Sequence, residues 1–498
     1  MQRTSRSIRQ SSLSLFLISV ISFLTTFASV PVSHAGAGNP GGPLVAQQNR
    51  TLPLPVARSH AFINYRADGA VACRQASDDE ATALKRRDSQ SLHVISSGRQ
   101  TRSTNLSTES VGLQIVLRAT SQLENFPAAK AAFLNAAAMW ESLINTPITV
   151  VVDVDFGPTW FGERYDDDVL GQTDSQVLGD NSIYSQVRDS LVGLAVSDER
   201  VGVYSQLPVS SVPTDIGSTS YVLAPSALWR ALGFINAVAD PTSEQSDLGS
   251  PPAVGFNSDF NYDFDPSNGV DSDKIDFDSV AVHEIGHVLG FDSNTGYREL
   301  DRSLPVAVSV WDLFRFRPGA TLDRFSTAQR VLSSGGSQDY FDGSRELALS
   351  TGRPDGTGGD REQASHWKDD RLTGTYIGIM DPTLADGARD EITENDLAVL
   401  SSIGYTVSAD QTAPDAPTIT KISFNGKKLK VVGKGFVGQV QLEINGQVIA
   451  STIEMKINSS GKKIQIKASQ SELSLNGGTN QVQVISNGVR SNAFTLAL

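Results

Sequence analysis

The chain has 498 residues, 39% of them hydrophobic and 19% charged, which is too long for one compact core and apolar enough for at least one large one. A formal charge of −14 excludes the long basic surface of a general nucleic-acid binder and disfavours a polyanion partner. The single cysteine, Cys73, excludes an internal disulfide, so stability must come from core burial, with bound metal ions as the available reinforcement.

Residues 1–35 read as an export signal. Arg3, Arg6 and Arg9 precede an apolar run from Leu13 to Ala28, and Ser33-His34-Ala35 supplies a small-x-small cleavage site. The expected mature chain starts near Gly36 and is secreted. The alternative, an uncleaved anchor, is disfavoured by the Ser and Thr within a run that is short for a span. No later stretch approaches about 18 uninterrupted apolar residues, so no integral span is expected after signal removal.

Charge is divided unevenly. The signal carries +3, residues 36–107 carry +4 and residues 417–498 carry +7, which leaves −28 for 108–416. Such asymmetry predicts segments with separate jobs. Residues 36–107 are rich in Gly, Pro, Ser, Arg and Gln and contain the triplet Lys85-Arg86-Arg87, which predicts a partly disordered leader or pro-segment. From Gly112 the pattern sharpens. Leu113, Ile115 and Leu117 alternate as a strand. Pro127 opens a helix with Ala128, Ala131, Ala132, Leu134, Ala138, Met139 and Leu143 at helical spacing, and a second strand runs from Ile148 to Val154. An α/β or α+β domain is expected over 108–407. A Pro-rich linker follows at 408–416, and 417–498 reads as a small β-sandwich. Its strands are expected at Leu429 to Val432, Val440 to Ile444, Ile464 to Ala468 and Val482 to Ile485, with Asn-Gly turns at Asn425, Asn445, Asn476 and Asn487.

The chemically informative segment is His283-Glu284-Ile285-Gly286-His287. Two histidines four apart on a helix are separated by about 6 Å of rise and about 40° of rotation, so both imidazoles can meet one ion. Glu284 then stands beside the ion without binding it, and Gly290 can end the helix in a left-handed conformation. Buried imidazoles beside an acid are costly unless something coordinates them. Zinc requires a third protein ligand. The compact spacing would place it at Ser293, a poor ligand, with Asp292 one residue off. His366 is the other candidate, because it is the only histidine downstream of the leader left unused.

Ser365-His366-Trp367, Gly378-Ile379-Met380-Asp381-Pro382 and the capped segment Thr393-Glu394-Asn395-Asp396 follow in order. Together with the His-Glu helix, these strings resemble the leishmanolysin-like branch of the metzincin zinc proteases, over roughly 108–406. The resemblance implies an α+β zincin-type catalytic domain: a mixed sheet, a long zinc helix, and a C-terminal helix after a Met-turn. It implies zinc ligands His283, His287 and His366, with the third beyond an insertion, Glu284 as general base and Met380 as the apolar floor. Pro382 stands where some metzincins carry an assisting tyrosine. Separately, Lys427 to Phe436 and Ser491 to Phe494 resemble the IPT/TIG immunoglobulin-like modules of secreted proteins.

Three further features admit two readings each. The acidic stretch with Asp263, Asp265, Asp271 and Asp273 is either a Ca²⁺ site or a solvated loop, and Asp278 is a candidate cap for the zinc helix. Phe314 and Phe316, in the insertion over 292–365, either shape a substrate cleft or belong to the core. Cys73 is either a latency thiol that closes the open position on zinc or an incidental free cysteine. The expected function is a secreted zinc metalloendopeptidase acting on protein or peptide substrates, with a C-terminal module that binds a surface or another protein. The alternative is a surface binding or adhesion protein whose zinc centre is structural or degenerate.

Overall fold

The computed structural model describes residues 51–498 apart from 67–69, 76–90, 96–111, 196, 240–246, 266–267, 353–358, 409–417 and loop positions 435, 437–439, 446, 450–452, 454, 459–461, 487–488 and 492–493. The expected signal, the Lys85-Arg86-Arg87 triplet and most of the Pro-rich linker lie outside these residues.

The chain is mixed α/β, built on one large mixed sheet with several small sheets around it. Its strands are β1 (Leu54–Tyr65), β2 (Ala70–Gln75), β3 (His93–Ile95), β4 (Gln114–Ala119), β5 (Thr149–Gly157), β6 (Val169–Asp180), β7 (Val222–Pro225), β8 (Ala253–Asn257), β9 (Val308–Ser309) and β10 (Thr383–Ala385). The order across the sheet is β10-β2-β1-β6-β8-β5-β4-β3, with β7 joining β6 to β9. β4, β5 and β8 run parallel, as strands connected by helices do, whereas β6 is antiparallel to both β8 and β1. Every residue of β5 is buried, and the run Thr149-Val150-Val151-Val152 has the near-continuous apolar character of a strand covered on both faces.

The segment 36–107, expected to stand apart as a leader, supplies β1, β2 and β3 to this sheet. β1 pairs with β6 from Leu54 to Asn64, with register shifts near its two ends, and β2 folds back on β1 with Ile63 opposite Cys73. The polar run Arg58-Ser59-His60 within β1 breaks the apolar alternation that marks a strand in sequence.

Two helices position the site. α1 (Pro127–Leu143) buries Ala129, Ala132, Phe133, Ala136, Ala137 and Trp140. This face is rotated from the one expected at Ala128, Ala131 and Leu134, because Phe133 and Trp140, seven apart, bury far more area than the small alanines. α1 packs against α2 (Phe277–Leu289), where Trp140 donates its indole N–H to the Val282 carbonyl at 2.9 Å. A third helix, α3 (Glu394–Ile403), opens with a capping box between Thr393 and Asp396 and ends at Gly404 with φ 118°. The core is continuous from Ile63 on β1 through α1 and α2 to Val407. Phe314 and Phe316 lie in it against Phe325.

The last segment contains two sheets around a shared core of Leu429, Val431, Leu442, Ile464, Val482 and others. Its strands are β11 (Thr418–Phe424), β12 (Lys428–Lys434), β13 (Val440–Ile444), β14 (Gln447–Val448), β15 (Met455–Ile457), β16 (Lys463–Lys467), β17 (Thr479–Ser486), β18 (Val489–Arg490) and β19 (Phe494–Ala497). One sheet has the order β11-β12-β16-β15; the other has β14-β13-β17-β18, with β19 paired to β17. Among the described residues no helix is long and apolar enough to cross a membrane.

Trp140 is fully buried and tied to the backbone of α2. Trp140→Ala should therefore cost about 3–5 kcal/mol, measured by urea unfolding of the apo protein.

Candidate metal centre

α2 begins after Asp276 and ends at Gly290, whose φ of 119° is one that a glycine adopts without strain. Asp278, a candidate cap, instead accepts a hydrogen bond from the Asn135 side chain. Asp276 precedes the first turn but makes no cap bond; its carboxylate pairs with Arg389 and accepts from the Ser279 hydroxyl.

His283 and His287 leave one face of α2, and His366 joins them from the far side of the insertion. His283 Nε2 lies 3.1 Å from His366 Nε2, and His287 Nε2 lies 3.2 Å from it. Each ring has its other nitrogen on a backbone carbonyl: His283 Nδ1 on Ile379 at 2.8 Å, His287 Nδ1 on Phe291 at 2.7 Å, and His366 Nδ1 on Gln363 at 3.0 Å. A carbonyl only accepts, so each Nδ1 carries the ring proton and each Nε2 presents a lone pair. Three lone pairs pointed at one another repel unless a cation lies among them. Tetrahedral zinc with bonds of about 2.0–2.1 Å would set its nitrogens about 3.3–3.4 Å apart, close to the observed spacing.

Cys73 completes the group. Its Sγ and the three imidazole nitrogens all lie within 4.8 Å of one another. Three imidazoles and a thiolate form a donor set suited to zinc. Burial pushes the Cys73 thiol up, with Glu284 and Glu362 adding to the effect, and its Sγ sits 3.5 Å from Gln363 Oε1. Burial lowers His287 to about 4. It lowers His283 to about 3, where the neighbouring His287 contributes, and it holds His366 well below the ordinary histidine value. All three rings are thus kept neutral, the form that binds a metal.

Glu284 is buried beside the cluster, and burial raises its carboxyl to about 7. Thr173 on β6 donates its hydroxyl to Glu284. Sequence offered no signal for Thr173, because a threonine in a strand is unremarkable until the fold places it opposite an acid. A cavity of about 30 Å³, room for a water, touches Cys73, His283 and Glu284. A second of similar size touches Thr173, His287 and Asp292. It shares Val177 and Asp292 with a larger apolar cavity of about 150 Å³, lined by Ile216, Tyr221, Leu223 and Leu332.

Met380 is fully buried under α2. A Cβ built on Gly286 would come within 2.6 Å of the Met380 sulfur, so the glycine inside the His-Glu motif makes room for this floor. The turn is held by Asp396 at the start of α3. Its carboxylate accepts from the Trp367 indole at 2.8 Å, the Ile379 amide at 2.9 Å and the Thr393 amide at 2.7 Å. One buried acid therefore fixes both the residue after His366 and the residue whose carbonyl orients His283.

The other candidates fall elsewhere. Asp292 is not among the clustered ligand atoms; it accepts from the Ser293 amide and the Ser365 hydroxyl. Ser293 donates to Asp312. Asp263, Asp265, Asp271 and Asp273 are not gathered into a ligand group among the described residues. Asp263 accepts from the backbone amides of Asp265 and Asp271 and acts as a loop staple, while Asp271 pairs with Lys274. The acidic atoms that do meet belong to Asp369, Asp370 and Asp381, and two of these residues accept from neighbouring backbone amides.

No protein-family model matches the chain, and no curated protein does. Among solved structures it is similar to SGBP-B from a complex xyloglucan utilization locus in Bacteroides uniformis, at 12% identity and a TM-score of 0.14. That match covers 33% of this chain and 44% of the other, so the chain spans less than half of that protein's length. A likeness this loose carries no argument about fold or activity.

His366→Ala should abolish stoichiometric zinc binding in equilibrium dialysis, whereas Asp292→Ala should leave occupancy unchanged. Asp396→Ala, which touches no ligand atom directly, should weaken zinc about 10–100-fold by loosening the carbonyl that orients His283.

Proposed function

We propose that the chain is a zinc metalloendopeptidase of the metzincin type, exported and held latent by its own N-terminal segment. The observation that carries this reading is the convergence of three proton-committed imidazoles, with a buried carboxylate beside them and a thiol from β2 within 4.8 Å of their nitrogens. Zinc bound there supplies a Lewis acid that polarises a peptide carbonyl and acidifies water. Glu284 takes a proton from the attacking water as its oxygen bonds to the carbonyl carbon, and delivers it to the leaving nitrogen as the C–N bond breaks. Thr173 orients that carboxylate. The apolar cavity beyond Val177 would take a substrate side chain.

Cys73 lies in the segment read as a leader, and the Lys85-Arg86-Arg87 triplet follows it in sequence. In the unprocessed chain Cys73 would be a fourth ligand to a bound zinc, as a thiolate, and would exclude water from it. The competing reading, a closed structural zinc centre in a surface-binding protein, is favoured by the long pairing of β1 with β6, which makes the thiol-bearing hairpin an integral part of the sheet. The two readings separate on Glu284, which has no task in a closed site. The immunoglobulin-like C-terminal module has no part in the chemistry under either reading.

Casein turnover decides between them. The full chain should be inactive and should gain activity after limited trypsin treatment. Cys73→Ser should be active without it, and Glu284→Ala should lose at least about 10³-fold under all conditions. Turnover that survives Glu284→Ala overturns the mechanism, and a Cys73→Ser chain that stays silent until cut overturns latency by this thiol.

A further inference from the structure

The C-terminal module holds ten cations and three carboxylates, and its cations are not spread evenly. In the sheet β11-β12-β16-β15 the inward positions Ile422, Leu429, Val431, Ile464 and Ile466 are buried, so the alternate positions form the outer face. Backbone register sorts most of that face into three rows, with Lys434 opposite Thr418 beyond the first. Lys421, Val432 and Lys463 form one, Ser423, Lys430, Gln465 and Lys456 form the next, and Lys428 stands directly opposite Lys467 in the third. Among the described residues each row therefore carries two lysines and no carboxylate. Strand spacing puts the flanking lysines of the first two rows about 10 Å apart at Cα, and successive rows lie about 7 Å apart along the strand.

Two ordinary explanations do not suffice. Lysines on edge strands discourage unwanted strand pairing, which accounts for Lys421 on β11 and Lys456 on β15. Lys428 and Lys430 lie on β12, which runs between β11 and β16, and Lys463 and Lys467 lie on β16, which runs between β12 and the short β15 that pairs with it over Ile464 to Ile466. Solubility calls for charges of both signs interspersed, whereas like charges directly opposite, as in Lys428 and Lys467, disfavour the sheet. Of the three carboxylates, Glu443 is buried in the other sheet, Glu472 accepts from Ser469 in a turn, and Glu454 lies outside the described residues.

We infer that this face binds an extended acidic polysaccharide, with carboxylate or sulfate groups seated on the paired lysines and sugar hydroxyls on Ser423 and Gln465. The chemistry of the rows favours a glycan over other polyanions. No aromatic side chain stands in them to stack bases. The module's one arginine, Arg490, is on the other sheet, so the forked donor that suits phosphate is missing from the face. Val432 alone is apolar in the rows, too little to insert into a lipid surface. The overall charge of −14 conceals this face, because −28 in residues 108–416 outweighs it.

The test uses the full-length chain on immobilised polygalacturonate, a carboxylated polymer, and on heparin, a sulfated one. Wild type should be retained on at least one of them and released by salt. Lys428→Gln/Lys430→Gln/Lys467→Gln should bind about tenfold or more weakly, while Lys130→Gln/Lys274→Gln, which removes two cations from outside the module, should change binding by less than about twofold. The triple Lys→Arg exchange keeps the charge and should keep retention, which separates lost binding from lost folding. Flow-through on both polymers, retention indifferent to salt, or undiminished binding by the triple Gln variant overturns the proposal. Capture by a DNA duplex or phosphatidylglycerol vesicles, with both polysaccharides passed over, overturns the glycan assignment.

Discussion

Three lone pairs facing one another at 3.1 and 3.2 Å form a constraint that the rest of the large domain is built to hold. Neutral imidazoles in water would turn away from such an encounter. Here each is pinned through its other nitrogen to a carbonyl belonging to a different piece of chain: Ile379 in the turn before α3, Phe291 just past α2, and Gln363 beside His366 itself. The repulsion is tolerated because the carbonyls are fixed by the fold, and a cation among the nitrogens would convert it into attraction. Burial cooperates by keeping the rings unprotonated.

That dependence explains why distant elements converge on one buried acid. Asp396 is fully enclosed, and burial raises its carboxyl against the lowering influence of its hydrogen bonds, so every oxygen lone pair it can commit matters. By holding Trp367, Ile379 and Thr393 at once it ties the third histidine, the orienting carbonyl and the start of α3 into one unit. Gly286 contributes in the opposite way, through the absence of a side chain, which lets the Met380 sulfur approach the helix. A buried capping residue and a helical glycine, each easily taken for local structure, thus belong to the support of the centre.

The parts legible in sequence are those whose signal is local. His283, Glu284 and His287 declare themselves because a helix converts a spacing of four into a shared face. The Pro127 start of α1 and the Thr393 capping box are equally local, and the observed helices begin where those residues place them. His366 was reachable by elimination, but its proximity to the pair depends on the fold of a long insertion. Thr173 was not reachable, nor were the three carbonyls, since a backbone oxygen has no residue identity to read. β1 was hidden for a different reason. A strand whose longer pairing is with residues more than a hundred positions away needs only a compatible edge, and Arg58-Ser59-His60 interrupts the alternation by which strands are recognised. The buried face of α1 was misjudged because counting apolar positions gives an alanine the same weight as a tryptophan.

Net charge illustrates the same limit at a larger scale. A value of −14 is an average over a strongly acidic middle and a basic end, and the field a partner meets depends on what lies within about a Debye length, roughly 8–10 Å, not on the sum over the chain. Three rows of paired lysines occupy a patch of about that size. Within the module the direct Lys428–Lys467 opposition places like charges on facing positions, which disfavours the sheet. The candidate metal centre and the lysine face, in separate parts of the chain, therefore share one physical logic. In each, like groups are held closer than they would choose, and a ligand of opposite character would relieve the repulsion.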